Sequence, residues 1–192
     1  YIEYLDGGVV LEGYMAWDDA SVSPMPGILI GHAWAGRSPF ECKKAEELAK
    51  LGYVGFALDV YGKSVMGNNK RENAALMKPF LEDRNLLQRR TMLALKVLER
   101  QEQVDVMKIA SIGYCFGGLM SLDMARTGAN ILGAVSLHGN LSPPANINVN
   151  KIDAKVLVLH GWKDPMVPPN DVVNFAKEMD QMSADWQLHA FG

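Results

Sequence analysis

Cysteine is scarce in this chain of 192 residues: Cys42 and Cys115 are the only two, with no C-x-x-C spacing between them. That scarcity argues against a disulfide scaffold and a cysteine-held zinc site and suits a reducing compartment, so the expected location is cytoplasmic. Long apolar runs are missing too. None approaches the roughly 20 residues of a membrane span, and no stretch joins a basic start to the apolar core of a secretory leader. Charge of one sign is nowhere concentrated. The 19 basic and 22 acidic residues leave a net charge of −3 without a block of either kind, which argues against a nucleic-acid groove or an anionic membrane as partner. Internal repeats and low-complexity segments are lacking as well. The expected partner is a small molecule, and oligomeric state is not readable.

What the chain does contain is enough apolar material for one core. At 48% hydrophobic and 21% charged, residues 1–192 are expected to form a single domain. The first residue is Tyr1 and not methionine, so the native chain is expected to begin earlier.

Apolar runs alternate with helical patterns. "GVVLEGYMAW" and "PGILIGHAW" read as strands bounded by turn signals, and this first pair suggests an antiparallel start. "SPFECKKAEELAKLG" then offers Ser38 as N-cap, Pro39 in the first turn, Glu41 three residues after the cap and Gly52 as the stop, which together define a helix. "YVGFALDVYG", "SIGYCFGG", "ILGAVSLHG" and "KVLVLHGWKD" repeat the buried-strand form, and "DWQLHAF" reads as the last strand. Apolar residues at three-to-four spacing mark helices over 73–80, 83–102, 119–126 and 170–182. The alternation predicts an α/β fold: a mostly parallel sheet, antiparallel at its N-terminal start, with helices on both faces. "LSPPANINVNKID" reads as a surface loop.

In such sheets ligands bind beyond the carboxyl ends of the strands. His32, Asp59, Cys115, His138 and Asp164 all fall there. Cys115 stands at the centre of Gly113-Tyr114-Cys115-Phe116-Gly117, with Gly118 extending the series. This G-x-C-x-G form is that of a nucleophile elbow, in which a strained strand-to-helix turn carries the reactive residue and glycines remove the clashes a side chain would make. The sulfur would sit at a helix N-terminus, where free amides and the helix dipole favour a thiolate. Its alternative is a small buried hydrophobe, the common fate of a free cysteine; Cys42, lacking these neighbours, is expected to be structural. The amide of Phe116 would supply one oxyanion donor and that of Trp34, in "HAWAG", the second. Chain order then asks for an acid and a histidine after the nucleophile. Asp164, turning at Pro165 after a buried strand, fits the acid. Asp59 comes too early and reads as a turn with Tyr61 and Gly62, and His138 and His160 read as structural imidazoles.

"GYCFGG", "DVYG" and "VLVLHGWKDPMVPP" followed by "DWQLHAFG" resemble the dienelactone hydrolase family of the α/β-hydrolase fold over nearly the whole chain. The resemblance implies hydrolysis of a small ester or lactone by a Cys-His-Asp triad with no metal or organic cofactor. It assigns Cys115 as nucleophile, Asp164 as acid, and Phe116 and Trp34 as oxyanion amides. The glutamate with which family members contact the resting cysteine corresponds here to Ala33. Arg84, Arg89 and Arg90 are candidates for the arginines that hold a substrate carboxylate, with a solvated helix face as the alternative. His189 is the only histidine after Asp164, but it falls within the last strand. The base is therefore expected in a loop beyond Gly192, in a native chain longer than this one. The rival reading is a non-catalytic ligand-binding or redox-responsive member of the fold, and within enzymes a thioesterase.

Overall fold

Eight strands form one sheet in the order β1-β2-β4-β3-β5-β6-β7-β8 in the computed structural model, which describes residues 1–145 and 150–192. The strands are β1 (Ile2–Asp6), β2 (Val9–Ala16), β3 (Met25–Gly31), β4 (Val54–Ala57), β5 (Val104–Tyr114), β6 (Gly133–Leu137), β7 (Lys155–Gly161) and β8 (Trp186–Phe191). From β4 onward to β8 all pairings are parallel. The antiparallel start exists but uses a different pair. β2 lies between β1 and β4 and touches neither the edge nor the register of β3, so "GVVLEGYMAW" and "PGILIGHAW" are not neighbours. β1 had no strand signal beyond Tyr4, which turns inward and is buried. The surface-loop expectation for 141–153 falls partly on residues outside the described set; those described there hold no helix or strand.

Among the described residues five helices connect the strands: α1 (Pro39–Ala49), α2 (Lys70–Glu82), α3 (Arg84–Glu99), α4 (Phe116–Arg126) and α5 (Pro169–Gln181). The cap of α1 is the one its sequence announces. The Ser38 hydroxyl accepts from the Phe40 amide, and Glu41 reaches back to the Ser38 amide at 2.8 Å. α2 begins earlier than its apolar spacing indicated because Asn69 caps it, accepting from the amides of Arg71 and Glu72.

Glycines show which face each helix covers. A Cβ on Gly55 would lie 2.6 Å from the Ala45 Cα of α1, and one on Gly31 would lie 2.8 Å from the Gly117 Cα of α4. Gly55 pairs with Ile28, and Ile28 and Gly31 are an odd number of residues apart, so they face opposite sides of the sheet. α1 therefore packs on one face and α4 on the other. α3 joins α4's side, where Leu98 lies against Gly27, and a buried ion pair ties α5 to α4 as Arg126 Nε and Nη2 each donate to Glu178 at 2.7 Å. Helices cover both faces, as the strand–helix alternation requires.

Candidate active site

β5 ends at Tyr114, α4 begins at Phe116, and Cys115 makes the corner with φ 57° and ψ −117°. A non-glycine residue there is strained and must be held. The Cys115 amide donates to the Leu137 carbonyl of β6 at 2.9 Å, and its own carbonyl accepts from Gly118 at 3.0 Å. The flanking glycines let the backbones close up. A Cβ on Gly113 would sit 2.0 Å from the Gly117 carbonyl oxygen, and one on Gly117 would sit 2.1 Å from that of Gly31. No side chain fits at either position.

The backbone amides of Phe116 and Trp34, the two named from the sequence, act on the half-buried sulfur and favour its charged form. The direction of its titration corrects one expectation. Burial pushes the thiol up, the two amides pull it down without overcoming that, and the charge of Asp164 adds to the rise. The helix N-terminus alone does not make Cys115 a resting thiolate, because desolvation outweighs it.

The loop that carries Trp34 is pinned by His32, which the sequence places at the strand end, and by Tyr61 and Glu41, whose contacts here join segments distant in sequence. His32 is fully buried; its Nδ1 lies 2.7 Å from the Ala33 carbonyl and its Nε2 accepts from the Val60 amide, an arrangement that assigns the proton to Nδ1. Burial pushes this imidazole down, so it stays neutral. Tyr61 Oη donates to the Trp34 carbonyl at 3.0 Å, and the cap residue Glu41 also accepts from the Ala33 amide at 3.3 Å. Only the cap signal of Glu41 was present in the sequence. Asp59 is the turn residue it was read to be, its carboxylate accepting from the amides of Tyr61 and Gly62.

A cavity of about 360 Å³ opens over Cys115, and its polar lining consists of Cys115, His138, Asn140 and Asp164. Asp164 Oδ1 accepts from the Met166 amide at 2.8 Å, so this carboxylate shapes its own turn. A larger hollow of about 630 Å³ beside Cys42 does not include Cys115. Cys42 itself is half-buried on α1, with Arg37 Nη1 donating to its sulfur at 3.3 Å.

Two histidines depart from the reading of their positions, and a third lies in the last strand where the sequence put it. His138 is not a satisfied structural imidazole: it is exposed, has φ 44°, and lines the cavity. His160 is buried, with neither ring nitrogen partnered among the described residues. His189 is exposed on β8 opposite Leu159, with Nε2 at 3.5 Å from Gln187 Oε1, and it does not line the cavity that holds Cys115 and Asp164. The arginine candidates are spoken for. Arg84 Nε donates to Asp123 at 2.7 Å, while Arg89 and Arg90 both grip Asp6. Neither the carboxylate-binding role nor a merely solvated face describes them.

The model of the dienelactone hydrolase family matches residues 11–192. The chain belongs to the dienelactone hydrolase family. It is thereby a hydrolase, in a family of ester and lactone hydrolases, with the α/β-hydrolase fold. A crystal structure described as a dienelactone hydrolase-like promiscuous phosphotriesterase from metagenomic libraries is 32% identical, with a TM-score of 0.94 over 100% of this chain and 80% of that one. The "Putative carboxymethylenebutenolidase" of Aquifex aeolicus is 25% identical over 99% of this chain and 82% of its own length. A dienelactone hydrolase from Anabaena variabilis, 20% identical, shares the fold with a TM-score of 0.69 over 99% of this chain and 83% of that chain. Among the described residues no group of three or more His, Cys, Asp or Glu side chains could hold a metal ion, and no helix is long and apolar enough to cross a membrane.

Proposed function

We propose that this hydrolase, acting as one α/β-hydrolase domain, cleaves a small carboxylic ester or lactone with Cys115 as its nucleophile. The observation that carries the reading is the cysteine at the strained corner with the amides of Phe116 and Trp34 directed at its sulfur. The sulfur gives up its proton to an imidazole and attacks the carbonyl carbon. The oxygen, now negative, takes the two amide hydrogen bonds. Collapse breaks the C–O bond, the imidazolium protonates the departing alkoxide, and a thioester remains. Water, losing its proton to the same imidazole, attacks the thioester and releases the acid and the thiol. Because Cys115 rests as a neutral thiol, the base is required in the first step as well as the second.

In this reading Asp164 orients that imidazole, and the imidazole is supplied by chain that follows β8. Two features support this. β8 runs parallel to β7 with Phe191 opposite Gly161, and the Trp162 amide donates to the Phe191 carbonyl at 2.8 Å, so whatever follows β8 emerges beside the turn that carries Asp164. Chain order in the fold also puts the base after the acid. A cytoplasmic setting suits the two free thiols.

The test uses full-length protein and small activated esters, lactones and thioesters. Cys115→Ala should lower kcat by at least about a thousandfold, the scale of losing a member of a triad, whereas His189→Ala should stay within about twofold of wild type. Undiminished turnover in Cys115→Ala overturns the nucleophile, and a collapse in His189→Ala overturns the downstream base. A burst of product without subsequent turnover would instead favour a thiol module that is acylated once.

A further inference from the structure

The cavity over Cys115 has walls of Trp34, Met77, Leu81, Leu119, Met166 and Val167, and among the described residues that line it there is no lysine or arginine. Of the cations beside these walls in sequence, Lys78 pairs with Glu82 at 3.6 Å and Lys163 is exposed, and neither lines the cavity; the arginines of α3 are held elsewhere. Arg84 is paired in two places with Asp123, a carboxylate that is itself fully buried, and also donates to the Ser142 carbonyl. Arg90 holds Asp6 and the Val60 carbonyl, and Arg89 completes the grip on Asp6. Freeing Arg84 would leave Asp123 only its longer contact with Arg126 at 3.4 Å, and freeing Arg89 and Arg90 together would strand Asp6. The charge the cavity does carry is negative: Asp164 lies in its wall and its field reaches the Cys115 sulfur.

A substrate carboxylate entering such a space would lose its hydration against apolar side chains, find no opposite charge and face a like one. A neutral body of the same size meets only favourable contacts. Asn140 and the exposed imidazole of His138 remain as hydrogen-bonding groups at the rim. At about 360 Å³ the cavity lies at the small end of ligand sites.

We propose that this cavity takes an ester or lactone whose acyl body is uncharged and largely apolar, and that it discriminates against substrates bearing a free carboxylate. The proposal rests on Cys115 as the reacting centre only for its location, so binding and turnover test separate things.

The test compares two esters that differ only at the far end of the acyl chain: 4-nitrophenyl methyl adipate, which is neutral, and 4-nitrophenyl hydrogen adipate, which carries a carboxylate. Calorimetry with full-length Cys115→Ala measures their affinities without cleavage. The methyl ester should bind at least about tenfold tighter, a ratio corresponding to roughly 1.4 kcal/mol. Leu81→Arg, made at a partly exposed position of the wall, should shift the ratio toward the acid by about fivefold or more, the scale of a new ion pair in a partly desolvated site. Equal affinities, tighter binding of the acid, or no binding of the methyl ester overturns the proposal. Turnover of the same pair by wild-type protein against Cys115→Ala reports on the nucleophile separately: discrimination in binding without Cys115-dependent turnover sinks the catalytic reading and leaves the selectivity standing.

Discussion

At the scale of the residue, Cys115, the proposed nucleophile, would owe its reactivity to its position more than to its acidity. Burial raises its titration and outweighs the amides of Phe116 and Trp34. The thiolate fraction at neutral pH is therefore below that of a free cysteine. In full-length Cys42→Ser protein, the rate of alkylation of Cys115 by iodoacetamide should be slow at pH 7 and should still be climbing where that of a free cysteine levels off. A plateau below the ordinary cysteine range would show that a proton acceptor already sits at the sulfur. The sequence could reveal where this cysteine lies but not the sign of its shift, because burial depends on walls such as Met77 and Leu81 that come from a helix distant in sequence. The same reason hid His138, whose exposure over the cavity follows from the left-handed turn after β6.

At the scale of the element, the site depends on how closely α4 approaches β3. Gly117 rests on the backbone of Gly31, and a methyl group there would meet a carbonyl oxygen at 2.1 Å. Backbone cannot rotate out of the way as a side chain can. Gly117→Ala should cost about 3 kcal/mol, the upper part of the overpacking range, read as a lower urea midpoint at unchanged slope; a loss below about 0.5 kcal/mol would mean α4 can slide. Much of this was legible. Glycines around a cysteine between a strand and a helix specify the corner, Ser38 and Glu41 specify the start of α1, and the period of apolar residues gives the parallel core. β1 was not legible, since four exposed or half-buried residues around one buried tyrosine give too little alternation. Nor was the double use of Glu41, which caps α1 and holds the Ala33 amide, because that second contact exists only once β3 and α1 have packed.

At the scale of the whole molecule, the N-terminal hairpin is fastened to the helical layer by Asp6. The hydrogen bonds of Arg89 and then Arg90 draw its carboxyl down to about 2, against some opposing desolvation. A carboxyl lowered by folding stabilises the native state above its unfolded titration range, and that contribution is lost as pH falls through the folded value. Wild-type protein should therefore melt higher than Asp6→Asn near pH 5, and the two melting curves should converge as the pH approaches 2; a constant gap across that range would exclude the ion pair as its source. Arg89 is largely exposed, so the gap should shrink in high salt. A different account attaches to the corner at Cys115. The protein keeps, at its proposed nucleophile, a conformation that only glycine adopts freely. Strain of this kind costs on the order of 1–3 kcal/mol, more than the roughly 0.5–1 kcal/mol of added chain freedom that a glycine brings to the unfolded state. Cys115→Gly should then yield an inactive protein that resists urea better than the wild type, and a midpoint below wild type would show that the corner is relaxed. Where that result holds, selection for heat resistance alone would erode the enzyme at position 115, and a screen for thermostable variants of this fold has to be coupled to an assay of turnover.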